Sequence, residues 1–192
     1  MRSKVIQMLQ SGGVGVIPTD TIYGIVGSAL DFETVARIYK LRKRNLKKPM
    51  IILIASVDGV SLFGIEPDVK TKRILKKLWP GKVSVILPCK LKEFEYLHRG
   101  TKQLAFRLPK LKWLRELLEE TGPLVVPSAN FEGEPPAKTI REAKKYFGNK
   151  IEFYIDAGRL ESKPSTLVKI EKGKLKVLRE GAVKIANSRN LL

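Results

Sequence analysis

The residues best suited to chemistry fall into two sets. Thr21, Ser128, Asn130 and Ser165 offer hydroxyls and one amide; Arg42, Arg44, Lys48 and Arg179 offer fixed positive charge. None forms an activated nucleophile with a neighbouring base. Such a set suits a reaction run by positioning and by offsetting anionic charge. Phosphoryl or nucleotidyl transfer, with Mg²⁺ carried on the nucleotide, is the candidate. Other chemistries find little support. His98 is the sole histidine, so a histidine-rich zinc site is excluded and a Ser-His-Asp triad could run only through it. Its charged surroundings predict a surface histidine instead. Cys89, the sole cysteine, sits beside Pro88 with no base nearby and reads as a half-buried strand-end residue. The Gly-x-x-x-x-Gly-Lys-Ser/Thr and Gly-x-Gly-x-x-Gly phosphate cradles are both missing from the sequence.

The elements that must hold these residues are legible in outline. Gly12 to Leu30, GGVGVIPTDTIYGIVGSAL, opens as an apolar strand that ends at Pro18, which has no ladder donor. Two hydroxyls, Asp20 and the Tyr23 phenol follow on a loop, where open α/β sheets place ligands. Leu124-Val125-Val126 running into Pro127-Ser128-Ala129-Asn130 echoes that pattern. A short helix is predicted over Lys4 to Leu9. A second, capped by Asp31, carries Val35, Ile38 and Tyr39 inward. Arg42 continues the same stripe, so its guanidinium requires partners. Met50 to Ala55 (MIILIA) predicts a central strand. Further strands are expected at Val83–Leu87, Leu104–Leu108, Phe153–Asp156, Thr166–Ile170 and Leu175–Leu178, the last two joined by a turn at Lys172-Gly173-Lys174. Helices are expected from Asp68 to Leu78, through Leu111, Leu114 and Leu118 up to Gly122-Pro123, and from a Thr139 cap over Ile140–Phe147. Trp79 and Trp113 read as core. Strands and helices do not alternate strictly, so the sheet is expected to be mixed.

Composition sets the outer bounds. A chain of 192 residues is expected to form a single domain, 1–192. One cysteine forbids an internal disulfide and fits a reducing, cytoplasmic setting. No apolar run approaches a membrane span, and no secretory signal is visible at the start. Lys and Arg number 37 against 19 Asp and Glu, a net charge of +18. That field attracts RNA, nucleotides and phosphates, or it serves solubility alone.

The motifs PTDTIYGIVG, IYKLRKRNLKKP, WPGKVSVIL, FRLP, VVPSANFEGEPP, PSTLV and LREG, in this order over about residues 5 to 182, resemble the YrdC family of threonylcarbamoyl-AMP synthases. The resemblance implies an α/β fold with a twisted mixed sheet, flanked by helices, and an open basic concave groove. It implies synthesis of threonylcarbamoyl-AMP from L-threonine, bicarbonate and ATP, with release of pyrophosphate, for threonylcarbamoyladenosine in tRNA. Mg²⁺ would come with ATP, and a separate threonylcarbamoyl transferase complex would use the product. Weak tRNA binding is allowed by the charge. No additional C-terminal domain is expected. The alternative is a non-catalytic tRNA- or double-stranded-RNA-binding protein with a basic groove.

Carried over position by position, the resemblance assigns Arg42, Arg44, Lys48, Ser84, Asn130, Lys138 and Arg179 to ATP, and Thr21, Ser128 and Ser165 to threonine. It assigns no protein metal ligand. The chain departs from the family at four places. Lys48 stands where asparagine is frequent, and Leu53 where many relatives have a threonine-touching histidine. EGEPPAK replaces SGxPSPT, putting Lys138 in place of a threonine. Arg42-Lys43-Arg44 replaces a Lys-x-Arg pair, which keeps charge but alters geometry.

Overall fold

The computed structural model describes residues 2–171 and 174–185. The strands are β1 (Gly15–Ile17), β2 (Gly24–Ser28), β3 (Ile51–Leu53), β4 (Val83–Pro88), β5 (Gln103–Arg107), β6 (Leu124–Val125), β7 (Phe153–Tyr154), β8 (Thr166–Glu171) and β9 (Lys174–Arg179). They form one mixed sheet in the order β7-β1-β2-β6-β3-β5-β4-β8-β9. β3 with β5, β4 with β8 and β1 with β7 are parallel; the other neighbours are antiparallel. MIILIA thus supplies the central strand that its unbroken apolar run predicts. The turn expected between β8 and β9 includes Lys172 and Gly173, which lie outside the described residues.

The helices are α1 (Arg2–Gln10), α2 (Phe32–Leu41), α3 (Val69–Leu78), α4 (Glu95–His98), α5 (Lys112–Thr121) and α6 (Ile140–Phe147). Their starts follow ordinary capping chemistry. Asp31 accepts from the Glu33 amide, Asp68 from Thr71 and Thr139 from Glu142, each satisfying an orphan donor of the first turn. Trp79 is buried after α3, and its indole donates to the Val83 carbonyl at 2.8 Å.

The sequence reading places no strand at Gly24–Ser28, where two glycines fall within five residues. Packing explains the glycines. A Cβ on Gly24 would lie 2.5 Å from Val126, and one on Gly27 would lie 2.3 Å from Thr34 of α2. The strand can pair only because nothing projects at these two positions.

The two faces of the sheet are covered differently. On the first face Val16, Ile25, Ile52, Val85, Phe106 and Val168 join α2, α3, α4 and α6 in one large apolar cluster. On the second face a smaller cluster packs Val5 and Leu9 of α1 and Leu114, Leu117 and Leu118 of α5 onto Ile17, Val26, Leu53 and Leu124. That covering reaches β1, β2, β6 and β3. Ala105, Arg107, Ile86 and Leu167, on the same side of β5, β4 and β8, instead line an open cleft.

His98 is buried at the end of α4, contrary to the surface position expected from its charged neighbours. Apolar Leu97 and Phe94 turn this segment inward. The His98 Nδ1 accepts from the Gly100 amide at 3.1 Å, and its Nε2 has no partner among the described residues. Cys89 is fully buried, and burial pushes its thiol above the ordinary range, away from nucleophilic use.

Candidate functional site

The cleft has a volume of about 360 Å³ and is lined by Thr19, Thr21, Arg42, Arg44, Leu53, Arg107, Ser128, Ser165 and Arg179, with Ile51, Ile86, Ala105 and Leu167 on its floor. Among the described residues its lining holds four arginines and no carboxylate, a set whose field attracts anions.

Two similar loops build one wall. The loop after β1 and the loop after β6 are joined by a bridge between Gly24 and Ser128. The Ala129 amide donates to Tyr23 O at 2.9 Å, and Ile25 N to Pro127 O at 3.0 Å. The PSAN loop is therefore paired with Tyr23-Gly24-Ile25, directly after PTDT. Tyr23 is buried, and its hydroxyl donates to Gly158 O at 2.7 Å while accepting from Ala157 N at 2.9 Å. This ties the first loop to the segment leading to Ser165.

Arg42 is 2% exposed, as its place on the α2 stripe requires. Its Nε donates to Ser128 O at 2.8 Å and Asn130 O at 3.1 Å. One terminal nitrogen donates to Ser128 Oγ at 3.1 Å and Asn130 Oδ1 at 3.3 Å. The other has no partner among the described residues. Burial, reinforced by the nearby Arg44 charge, pulls the Arg42 pKa down to about 10, which leaves it charged at neutral pH. Asn130 spends its amide N–H groups on Phe131 O and Glu134 O, at 2.6 and 2.8 Å. It therefore stands behind Arg42 and holds it.

Arg107 is a cleft-lining residue that the sequence reading passed over. It projects from the end of β5 and pairs with buried Asp20, and it donates to Thr21 Oγ1 at 3.0 Å. Burial lowers its pKa from the ordinary value, opposed by Asp20. A usable signal lay in LAFRLP: period-two alternation puts Arg107 on the face opposite Phe106. Thr19 Oγ1 donates to Ile22 O at 2.8 Å and accepts from the Thr21 and Ile22 amides at 3.1 and 3.2 Å. It also lies 2.9 Å from Thr21 Oγ1, which accepts from Arg107, so the Thr21 hydroxyl is held from two sides at the cleft wall.

The remaining predicted residues divide. Ser165 lines the cleft, and its Oγ lies 2.8 Å from that of fully buried Ser84, which stands behind it. Arg179 donates to Ser165 O at 2.8 Å; desolvation of its guanidinium, then the Arg44 charge, lowers its pKa, although the residue as a whole is exposed. Arg44 donates to Lys48 O at 3.1 Å and Pro49 O at 2.9 Å and lines the cleft. Lys48 lies outside the lining, its ammonium 2.6 Å from Glu132. Lys138 is exposed and also outside the lining, with its amide donating to Glu142 at 2.8 Å. Leu53 is 1% exposed and borders both the cleft and the α5 cluster.

Comparison with known proteins gives a consistent set. Residues 7–181 match the profile of the Sua5/YciO/YrdC family, described as "Telomere recombination". A Marinobacter nauticus protein named threonylcarbamoyl-AMP synthase is 33% identical over 172 residues, covering 87% of this chain and 90% of its own. A Methanocaldococcus jannaschii protein provisionally given the same name is 31% identical over 189 residues, covering 96% and 89%. The structure of Pyrococcus abyssi Sua5 complexed with L-threonine superposes with a TM-score of 0.86 at 28% identity, covering 94% of this chain. The present chain spans 54% of that longer one. Escherichia coli YciO, at 24% identity and a TM-score of 0.83 over 95% of this chain and 90% of its own, shares the fold.

Proposed function

The chain belongs to the Sua5/YciO/YrdC family, and from that premise we propose that it is a nucleotidyltransferase making threonylcarbamoyl-AMP from L-threonine, bicarbonate and ATP. The observation that carries this reading is the convergence of Thr21, Arg42, Arg44, Ser128, Ser165 and Arg179 on one cleft without carboxylates. The non-catalytic RNA-binding alternative is not favoured, because the named relatives are enzymes.

In this reading the threonine amine attacks the carbon of bicarbonate, or of CO₂ derived from it. With bicarbonate the hydroxyl leaves as water with an amine proton, and a carbamate remains. A carbamate oxygen then attacks the α-phosphorus of ATP, and pyrophosphate departs. Arg42, Arg44 and Arg179 are assigned to the phosphates, whose charge they offset before and during the displacement. Arg107, fixed by Asp20 and Thr21, is assigned to the threonine carboxylate. Thr21, held by Arg107, is assigned to the threonine amine, whose nitrogen it helps to aim. Ser128 and Ser165 complete the amino-acid side. Ser84 and Asn130 act by holding Ser165 and Arg42. Positioning supplies the rate in a site whose lining offers no carboxylate or histidine base.

The lining is cationic and hydroxylic, and no group of three or more His, Cys, Asp or Glu among the described residues could cage an ion. The residues therefore do not fit a resident divalent metal. Mg²⁺ is assigned to the ATP phosphates. Among the described residues no helix is long and apolar enough to cross a membrane. A cytoplasmic setting, weak tRNA contact and hand-over to a threonylcarbamoyl transferase complex complete the proposal. The test is pyrophosphate release with Mg-ATP and bicarbonate against each of the twenty amino acids. Release only with threonine and bicarbonate is expected; equal release without threonine would mean a different reaction.

A further inference from the structure

The segment from Arg42 to Lys48 carries five positive charges in seven residues and no acid of its own. Like charges so close repel one another, and on that ground alone the segment should splay into solvent. It does not. Among the described residues one carboxylate meets it: Glu132, from the loop after β6. One Glu132 oxygen accepts from the Asn45 amide, and the other lies 2.6 Å from the Lys48 ammonium. The Glu132 amide also donates to Arg42 O at 2.9 Å. Within the segment, Lys48 N donates to Asn45 O at 3.1 Å and the Asn45 side chain accepts from Lys47 N at 2.9 Å, so the two residues gripped by Glu132 are themselves linked. The Arg44 guanidinium is held by Lys48 O and Pro49 O. Fixing Lys48 therefore fixes the carbonyl that orients Arg44.

We propose that Glu132 is a positioning residue, a latch that holds the 42–48 segment closed so that Arg44 faces the cleft, and that Lys48 is its counterpart. Two consequences separate the latch from simpler roles. A carboxylate that merely sits near bound phosphate would repel it, so its removal would tighten ATP. A latch works the other way: its removal frees the segment, and ATP must then order it on binding. Lys48, for its part, acts through Glu132 and not on the nucleotide.

The kinetic part of the test rests on the ATP reading above, while the exchange part needs no substrate. In the free protein, E132A should speed amide hydrogen exchange of a peptide covering 43–48 about three- to tenfold, with E132Q intermediate because it keeps an acceptor for Asn45. The KM for ATP should rise by about the same factor, with the KM for threonine unchanged. K48M should show part of the E132A loss, because Asn45 keeps its acceptor, and should add nothing to E132A, where the Lys48 contact is already gone. The reversed pair, K48E with E132K, should regain part of the loss. Unchanged exchange in E132A overturns the latch. So does tighter ATP binding, or a K48M effect that persists in full beside E132A, which would place Lys48 on the phosphates. If no variant releases pyrophosphate with any amino acid, the functional reading fails while the exchange result still decides the latch.

Discussion

The second face of the sheet is the same surface put to two uses. Over β1, β2, β6 and β3 its outward positions are Ile17, Val26, Leu124 and Leu53, and helices α1 and α5 cover them. Over β5, β4, β8 and β9 they mix Arg107, Ser84 and Arg179 with apolar Ala105, Ile86 and Leu167, and the helical covering stops. Apolar positions attract a helix because burial removes them from water. Charged and hydroxyl positions gain nothing from such a cover and leave a cleft. The site is thus where a uniformly apolar surface gives way to a mixed one, and Leu53 marks the boundary.

The strongest way to break this contrast is at Arg107. Arg107→Met should leave Asp20 buried without its partner, at a cost of about 3–5 kcal/mol, and should abolish turnover of the remaining folded protein. Urea denaturation and pyrophosphate release read the two effects separately. A stable Arg107→Met enzyme would show that the open half does not depend on this pair. In the sealed half, Leu118→Ala should cost about 2–5 kcal/mol through the cavity it leaves beneath α5. Both KM values should be unchanged in that variant. A shifted KM would mean that the halves are mechanically coupled.

At the boundary, Leu53→His puts a polar ring at a 1% exposed position and should cost about 1–3 kcal/mol. On the cleft side it should lower the threonine KM and leave that for ATP nearly unchanged. If both constants move together, Leu53 belongs to the sealed half alone. The smallest effect concerns acid. The hydrogen bond from Lys48, then that from Asn45, holds the Glu132 carboxyl below its ordinary value of 4.5. A depressed carboxyl stabilises the folded state above its unfolded pKa and loses that contribution as pH falls through the folded one. Intrinsic-rate-corrected exchange of 43–48 should therefore stay flat from pH 7 to 5 and quicken only below 4.5. Quickening near pH 6 would contradict the pairing.

Much of this arrangement is legible from the sequence because local rules and tertiary packing agree there. Asp31 caps α2, Arg42 lies on the buried stripe and MIILIA is central, each for the reason its pattern states. The failures have physical causes. In β2 the glycines that argue against a strand are demanded by the close approach of Val126 and Thr34. His98 looked exposed because its chain neighbours are charged, while burial was decided by Phe94 and Leu97. The resemblance assigns Ser84 and Asn130 to ATP, and in the fold their side chains contact Ser165 and Arg42, a tertiary arrangement that no local pattern displays. The Lys48–Glu132 contact spans 84 residues, and no short-range pattern announces it.

The zipped wall of the cleft also has a consequence in time. β1 and β2 pair with each other, but their outer partners are β7 and β6, and the bridge from Gly24 waits for Ser128. During synthesis at about 5–20 residues per second, β7 follows the end of β2 by roughly 6–25 s. Until β6 is made the nascent apolar hairpin has both edges unpaired, and until β7 is made the β1 edge stays open, the kind of species that aggregates or recruits a chaperone. The wall of the site is thus among the first segments made and the last completed. A ribosome stalled before residue 120 should hold a chain with no binding site at all.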